Sequence, residues 1–150
     1  LTVLENVMAG AIFGGKARDE VAASRFAHEL LDFVGYEGPV EVPARNLNTV
    51  QLKRVELARA LATGCRLLLL DEVAAGLTPG ELTGMAELIK KVRDTGVTVI
   101  MVEHLMRLIM GLCDRIAVLH FGQKIAEGTP QEIASDAQVI EAYLGEARSA

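Results

Sequence analysis

Apolar positions in residues 1–64 recur at helical spacing, and capping residues and glycines divide them into three helices. We predict these helices at Val3–Ile12, Ala17–Val34 and Val50–Thr63. The first and third begin at capping boxes, Thr2-x-x-Glu5 and Asn48-x-x-Gln51, in which two polar side chains satisfy backbone N–H groups of the first turn. The pattern therefore predicts a helical region that extends to about residue 64.

Short apolar runs alternate with helices from residue 65 onward. Leu67–Leu70 and Val97–Val102 are continuous apolar runs, which are typical of strands buried on both faces. Between them, Thr78-Pro79-x-Glu81 begins a helix that runs to about Thr95. This alternation predicts a parallel sheet with right-handed crossovers.

The last third of the chain continues with short elements. A helix is predicted over about 105–113, followed by two strands joined by a tight turn and then by two helices. The strands are predicted at Arg115–His120 and Lys124–Glu127, one helix after Thr129-Pro130-x-Glu132, and the last from the cap Ser135 through Tyr143.

Composition narrows the class of protein. The chain has 150 residues, of which 51% are apolar, so it can form a packed core and is not disordered. A formal net charge of −5 and only 4% aromatic residues argue against a nucleic acid as partner. The sequence contains neither an apolar run of about 20 residues that could span a membrane nor a signal peptide.

The two cysteines and the N-terminus add two expectations. Cys65 and Cys113 lack the spacing of a metal site or a disulfide framework, so we interpret them as reduced, cytosolic thiols. The sequence begins with Leu1 rather than Met, inside a predicted helix start, and we expect it to be a fragment.

Candidate chemistry lies at the carboxyl ends of the predicted strands, where ligands bind in parallel sheets. Asp71 and Glu72 follow the first strand; one carboxylate could hold Mg²⁺ together with phosphate oxygens, and the other could orient or deprotonate a water. His104 follows the second strand and could reach a phosphate as a donor or hold a water against Glu72. The plainer alternatives are solvated acids and a surface histidine. His28 and His120 are interpreted as ordinary surface or capping residues.

The segment before the third helix is a second candidate. Asn46–Gln51 precedes that helix, and the backbone N–H groups of a helix N-terminus, with a polar side chain, can bind an anion. A well-capped helix without any ligand is the alternative.

Taken together and in this order, these motifs resemble the ATP-binding subunit of an ABC transporter. The matching segments are Leu47–Gln51, Leu67–Glu72, Ala74–Pro79, Val102–His104, Asp114–Leu119 and Gly122–Pro130. Three segments have sequences most similar to those of the branched-chain (hydrophobic) amino-acid importer subfamily. These segments are Leu1–Val7, Ala74–Pro79 and Val139–Gly145.

The resemblance implies a fold and its domains. The fold class is α/β: a P-loop NTPase-like (RecA-like) parallel sheet with helices, here incomplete, plus part of the ABC helical subdomain. Residues 1–64 would be the partial helical (signature) subdomain, and residues 65–150 the C-terminal part of the RecA-like ATP-binding core. The N-terminal part that carries the P-loop would be absent.

The resemblance also implies the site residues and the cofactors ATP and Mg²⁺. Asp71 would support Mg²⁺ and contact the nucleotide, Glu72 would be the general base, and His104 would be the switch histidine at the γ-phosphate. The signature loop, which binds ATP held by the opposite subunit, would comprise Leu47, Asn48, Thr49, Val50 and Gln51. The D-loop at the dimer interface would comprise Ala75, Gly76, Leu77 and Thr78.

The sequence departs from the family pattern at several positions. Asn48 stands where Ser is usual, Val50 where Gly is usual, Val73 where Pro is usual, and Thr78 where Asp is usual. No G-x-x-x-x-G-K-S/T occurs, although the P-loop supplies most of the phosphate cradle. We therefore expect the C-terminal portion of a nucleotide-binding domain, whose parent protein hydrolyses ATP and which is inactive alone.

The implied partners are integral-membrane permease subunits, a second ATP-binding subunit and, indirectly, a solute-binding protein, at the cytoplasmic face of the inner membrane. Val7, Met8, Ile12 and Phe13 would either face the permease or form plain helix core. Two other functions stay open: a catalytically degenerate ABC-like docking module, and an unrelated α/β enzyme with a metal site at Asp71, Glu72 and His104.

Overall fold

The computed structural model describes residues 1–147, and the side chains of residues 1–142. The chain forms two compact units, one comprising Leu1–Val102 and the other beginning at Glu103. The predicted boundary between residues 64 and 65 separates two subdomains of the family, whereas these units are defined by compactness. That boundary therefore stays a prediction.

Three helices pack together in the first part of unit 1. They are α1 (Val3–Phe13), α2 (Glu20–Phe33) and α3 (Thr49–Ala62), with a 3-10 turn at Ala44–Asn46 before α3. Their buried side chains are mostly small, including Ala11, Ala27 and Ala58, so the helix axes can approach closely. At Gly10, an added methyl group would overlap the carbonyl of Arg59 on α3.

A two-stranded parallel sheet and one helix complete unit 1. Strand β1 (Leu67–Asp71) pairs in parallel with β2 (Thr98–Val102), and α4 (Pro79–Asp94) connects them. Parallel pairing confirms the sheet type expected from the alternation of strands and helices. The helix α4 buries an apolar stripe made of Met85, Leu88, Ile89 and Val92.

The expectation that both strands are buried on both faces is wrong for this chain. Leu68 is buried, but Leu69 is 68% exposed and Ile100 is 53% exposed. Alternate side chains of a strand project to opposite faces of the sheet, and only one face is covered by the described residues. The other face therefore presents apolar side chains to solvent.

Unit 2 is built around an antiparallel hairpin. Its elements are α5 (Met106–Leu112), β3 (Ile116–His120), β4 (Gln123–Gly128), α6 (Pro130–Ser135) and α7 (Ala137–Ala147). Phe121 and Gly122 connect the strands with φ values of 46° and 77°, as in a type I′ turn. A small apolar core contains Ile109, Ile116, Val118, Ile133 and Val139.

Two predicted helix starts are wrong by a few residues. Helix α2 begins at Glu20 rather than Ala17, because the Asp19 side chain accepts a hydrogen bond from the backbone of Ala22. Helix α7 is capped by Asp136 rather than Ser135, because Asp136 Oδ1 accepts from the amides of residues 138 and 139. Short acceptor side chains compete for these positions.

None of the helices among the described residues is long and apolar enough to cross a membrane.

The predicted capping boxes are confirmed at four helices. In three of them a glutamate carboxylate accepts a 2.7 Å hydrogen bond from a backbone N–H: Glu5 from Thr2, Glu81 from Thr78 and Glu132 from Thr129. These backbone hydrogen bonds lower the pKa of each glutamate below its ordinary value, because they favour the charged form.

These lowered pKa values predict a loss of stability in acid. A carboxylate whose pKa is lower in the folded state stabilises the fold above the unfolded pKa of about 4.3, and this contribution disappears as pH falls through the folded value. Replacing Glu5, Glu81 and Glu132 with glutamine should therefore lower stability at pH 7 and leave it unchanged at the lowest pH. Urea unfolding at a series of pH values measures the difference; a gap that does not vary with pH would contradict this explanation.

Candidate functional site

Asp71 and Glu72 lie at the carboxyl end of β1, and both are exposed. The backbone at Glu72 has a φ of 45°, a left-handed conformation that costs a residue with a Cβ about 1–2 kcal/mol. Hydrogen bonds hold it there: its amide donates to the carbonyl of Val102 on β2 at 3.0 Å, and its own carbonyl accepts from Ala75 N–H at 3.1 Å. The strand end therefore presents Glu72 from a braced backbone.

The two carboxylates suit a divalent cation that shares its ligands with a phosphate. Among residues 1–142, neither carboxylate has a hydrogen-bonding or ionic partner in the protein. Mg²⁺ usually binds one or two carboxylates together with phosphate oxygens and water. In the described part of the chain no three His, Cys, Asp or Glu side chains converge, and the role of Asp71 as a magnesium ligand stays a prediction.

The predicted signature segment forms the start of α3. Asn48 is the N-cap, and its Oδ1 accepts from Gln51 N–H at 2.9 Å while Gln51 Oε1 accepts from Asn48 N–H at 3.2 Å. This cap uses the oxygen of the Asn48 amide and does not consume its Nδ2 donors. Val50 is half-buried in the first turn, whereas Asn48 and Thr49 are exposed. The start of the helix is thus open to solvent at its polar positions.

The predicted D-loop runs from Ala75 to Thr78 and ends as the cap of α4. Gly76 has a φ of 76°, a conformation that glycine adopts without strain. The hydroxyl of Thr78 donates to the Glu81 carboxylate at 2.7 Å. Thr78 therefore uses its polar atom within the chain.

The structure brings the signature segment and the D-loop together. A Cβ placed on Gly76 would lie 3.6 Å from Cγ2 of Thr49, which is an ordinary van der Waals distance. Two segments that are far apart in sequence therefore meet beside the end of β1. This arrangement agrees with their predicted location in one interface, and their role there stays a prediction.

A small cleft lies between α3, β1 and α4. It has a volume of about 190 Å³, and its lining includes Lys53, Leu68, Asp71, Val73 and Met85. Typical ligand pockets measure about 300–1,000 Å³, so this cleft is smaller than a nucleotide needs. The exposed residues at the strand end are therefore the candidate site.

His104 lies in unit 2, between β2 and α5, and is exposed. Its predicted contact with a phosphate, or with a water held against Glu72, stays a prediction. The other two histidines have local contacts: a ring nitrogen of His28 lies 2.8 Å from the carbonyl of Ser24, and the ring of His120 lies 4.4 Å from that of Phe121.

Val7, Met8, Ile12 and Phe13 are predicted either to face the permease or to form helix core, and they differ in exposure. Val7 is fully buried and Met8 is half-buried, whereas Ile12 is 44% exposed and Phe13 is 90% exposed. Core packing therefore accounts for Val7. Ile12 and Phe13, at the C-terminal end of α1, are available to a partner.

Sequence reasoning missed the cations that join elements of unit 1. Arg54 donates to the carbonyls of Val34 and Gly35 at 2.6 and 2.7 Å, and Lys91 donates to the carbonyl of Phe33 at 2.8 Å. Both satisfy free carbonyls at the C-terminus of α2, where positive charge is favourable. Lys53 donates to the carbonyl of Glu72 at 3.3 Å. No local pattern predicts such partners, because they lie 19 or more residues away.

Comparison with known proteins agrees with this architecture. Residues 123–149 match the family described as branched-chain amino acid ATP-binding cassette transporter. The chain is 41% identical over 131 residues to the high-affinity branched-chain amino acid transport ATP-binding protein BraF of Pseudomonas aeruginosa, a match that covers 87% of this chain and 51% of BraF. It is 45% identical to LivG of Escherichia coli over 105 residues, covering 69% of this chain and 41% of LivG.

The likeness extends to export systems and to solved structures. The chain is 34% identical to the lipopolysaccharide export ATP-binding protein LptB of Escherichia coli, covering 97% of this chain and 60% of LptB. A solved structure of MJ1267, an ATP-binding cassette of an ABC transporter, superimposes with a TM-score of 0.82 at 28% identity, covering 95% of this chain and 62% of MJ1267.

The chain thus spans about half the length of the curated relatives it matches. The resemblance inferred from the motifs is confirmed by these relatives, and the mixed α/β fold with parallel strand pairing is confirmed by the superposition. In sequence and fold the chain is therefore similar to the ATP-binding cassettes of ABC transporters, and its sequence is similar to that of the branched-chain amino acid subfamily.

Proposed function

We propose that this chain is the C-terminal part of an ATP-binding subunit that hydrolyses ATP to energise uptake of branched-chain amino acids. The observation that carries the proposal is the end of β1, where Asp71 and a backbone-braced Glu72 present carboxylates without protein partners. The similarity to BraF and LivG supports the transported class of solute.

The chemistry we propose divides between three side chains. Bound Mg²⁺ would neutralise charge on the phosphates of ATP, and Asp71 would help to hold it. Glu72 would orient the attacking water and accept its proton. His104 would donate a hydrogen bond to the γ-phosphate. The P-loop cradle would come from the N-terminal part of the complete subunit.

We propose that a second ATP-binding subunit completes the site. The signature segment Leu47–Gln51 would bind ATP held by that subunit, with Asn48 Nδ2 as a donor, and Ala75–Thr78 would cross the interface. Support comes from the proximity of Thr49 to Gly76 and from the exposure of Asn48 and Thr49. Val50, which replaces the usual glycine, adds bulk beside that nucleotide.

The proposed domains and location follow from the same family. Residues 1–64 would be part of the helical subdomain and residues 65–150 the C-terminal part of the core. Permease subunits at the cytoplasmic face of the inner membrane would contact the helical subdomain, for which the exposed Ile12 and Phe13 are candidates. A solute-binding protein would act indirectly, through the permease.

Titration with Mg-ATP in a calorimeter tests the proposal. We expect the 150-residue chain alone to bind more weakly than millimolar, because the phosphate cradle is missing from its sequence, and the complete subunit to bind in the micromolar range. Saturable micromolar binding with turnover by the chain alone would contradict the proposed division of the site. A complete subunit without ATPase activity would contradict the proposed function itself.

A further inference from the structure

We propose that Lys53 is a positioning residue for Glu72 and couples the signature helix to the backbone of that carboxylate. The inference rests on the proposed function, in which Glu72 acts on the attacking water. Lys53 lies in α3, five residues after the N-cap Asn48, and its Nζ donates to the carbonyl oxygen of Glu72 at 3.3 Å.

Three elements hold the peptide groups of Glu72. Its amide donates to Val102 on β2, and its carbonyl accepts from Ala75 N–H in the following turn and from Lys53 on α3. Of these three bonds, the one from Lys53 is the longest, at 3.3 Å, and it is the one whose donor carries a formal charge. It is also the bond that connects Glu72 to the signature helix.

This support matters because the conformation is disfavoured. Glu72 has a φ of 45°, and such a backbone persists only where the surroundings impose it. Loss of the bond from Lys53 would let the turn relax and shift the carboxylate from its place beside the strand end. Catalysis is sensitive to displacements of about 1 Å, whereas nucleotide affinity comes mainly from other contacts.

A second contact links the same two segments. Thr49, in the first turn of α3, has its Cγ2 3.6 Å from where a Cβ on Gly76 would lie, so it is close to the loop after Glu72. A movement of α3 would therefore reach the loop at two points, about one helical turn apart. A nucleotide bound at the signature segment would therefore shift the Glu72 carboxylate, and a nucleotide bound beside Glu72 would shift the signature segment.

Two substitutions test the role of Lys53. Lys53→Met keeps most of the aliphatic chain and removes the donor, whereas Lys53→Arg keeps a cationic donor. In the 150-residue chain, amide hydrogen exchange at Ala75 should become severalfold faster in Lys53→Met and stay near the wild-type rate in Lys53→Arg. In the complete subunit, Lys53→Met should lower kcat about 10- to 100-fold at unchanged KM, and Lys53→Arg should restore most of it. Lys90→Met, at an exposed position of α4, is the matched control and should change neither measurement.

The outcomes separate this inference from the proposed function. If Lys53→Met leaves exchange at Ala75 and kcat unchanged while Glu72→Gln is inactive, the positioning role is overturned and the proposed function stands. If the wild-type subunit does not hydrolyse ATP, the proposed function fails, and exchange at Ala75 alone decides whether Lys53 holds the turn. A Lys53→Arg variant as defective as Lys53→Met overturns the donor role.

Discussion

Replacing Glu72 with glutamine in the complete ATP-binding subunit is expected to lower kcat for ATP hydrolysis by about 10²- to 10⁴-fold. Glutamine has nearly the same shape and keeps the hydrogen bonds of the backbone, but it cannot accept a proton from water. ATP affinity should change little, because Glu72 would act on the water rather than hold the nucleotide. Steady-state phosphate release gives kcat, and calorimetry gives the affinity.

Glu87→Gln is the matched control for this prediction, since Glu87 is an exposed glutamate within α4. It should hydrolyse ATP at the wild-type rate. If Glu72→Gln supports transport as well as the wild type does, the chain would instead serve as a catalytically degenerate docking module. The departures at Val50, Val73 and Thr78 motivate that alternative.

Replacing Gly10 with valine is expected to lower the free energy of unfolding of this chain by about 1–3 kcal/mol. A Cβ at this position would overlap the carbonyl of Arg59 and press on Cβ of Ala62. Both lie on α3, so α1 and α3 would have to separate, and the fully buried Val7 and Ala11 would lose contacts. Urea unfolding followed by circular dichroism measures the change.

Gly80→Ala provides the comparison, because it also adds a Cβ to a helical glycine. No atom lies within 4 Å of a Cβ built at Gly80, and alanine favours the helix over glycine. This variant should be as stable as the wild type or slightly more stable. Equal stabilities of Gly10→Val and the wild type would show that α1 and α3 do not pack as closely as described.

The sequence by itself determined the features that depend on neighbours within four residues. The four capping boxes are examples, since Thr78 and Glu81 bond each other whatever surrounds them. The strand Leu67–Asp71 and the order of motifs around Asp71 and Glu72 could also be predicted, because apolar runs and motif spacing are properties of the sequence itself. The start of α2 is the exception, since it was mispredicted although its cap, the bond from Ala22 N–H to Asp19, is also local.

Tertiary structure alone decided which faces are covered and which distant groups meet. The apolar residues Leu69 and Ile100 look like core residues in the sequence, but their exposure depends on what packs against the sheet. The bond from Lys53 to the carbonyl of Glu72 joins residues 19 positions apart, and it reaches a residue with a left-handed backbone. A local pattern cannot predict such contacts, because their free energy arises only when separate elements pack together.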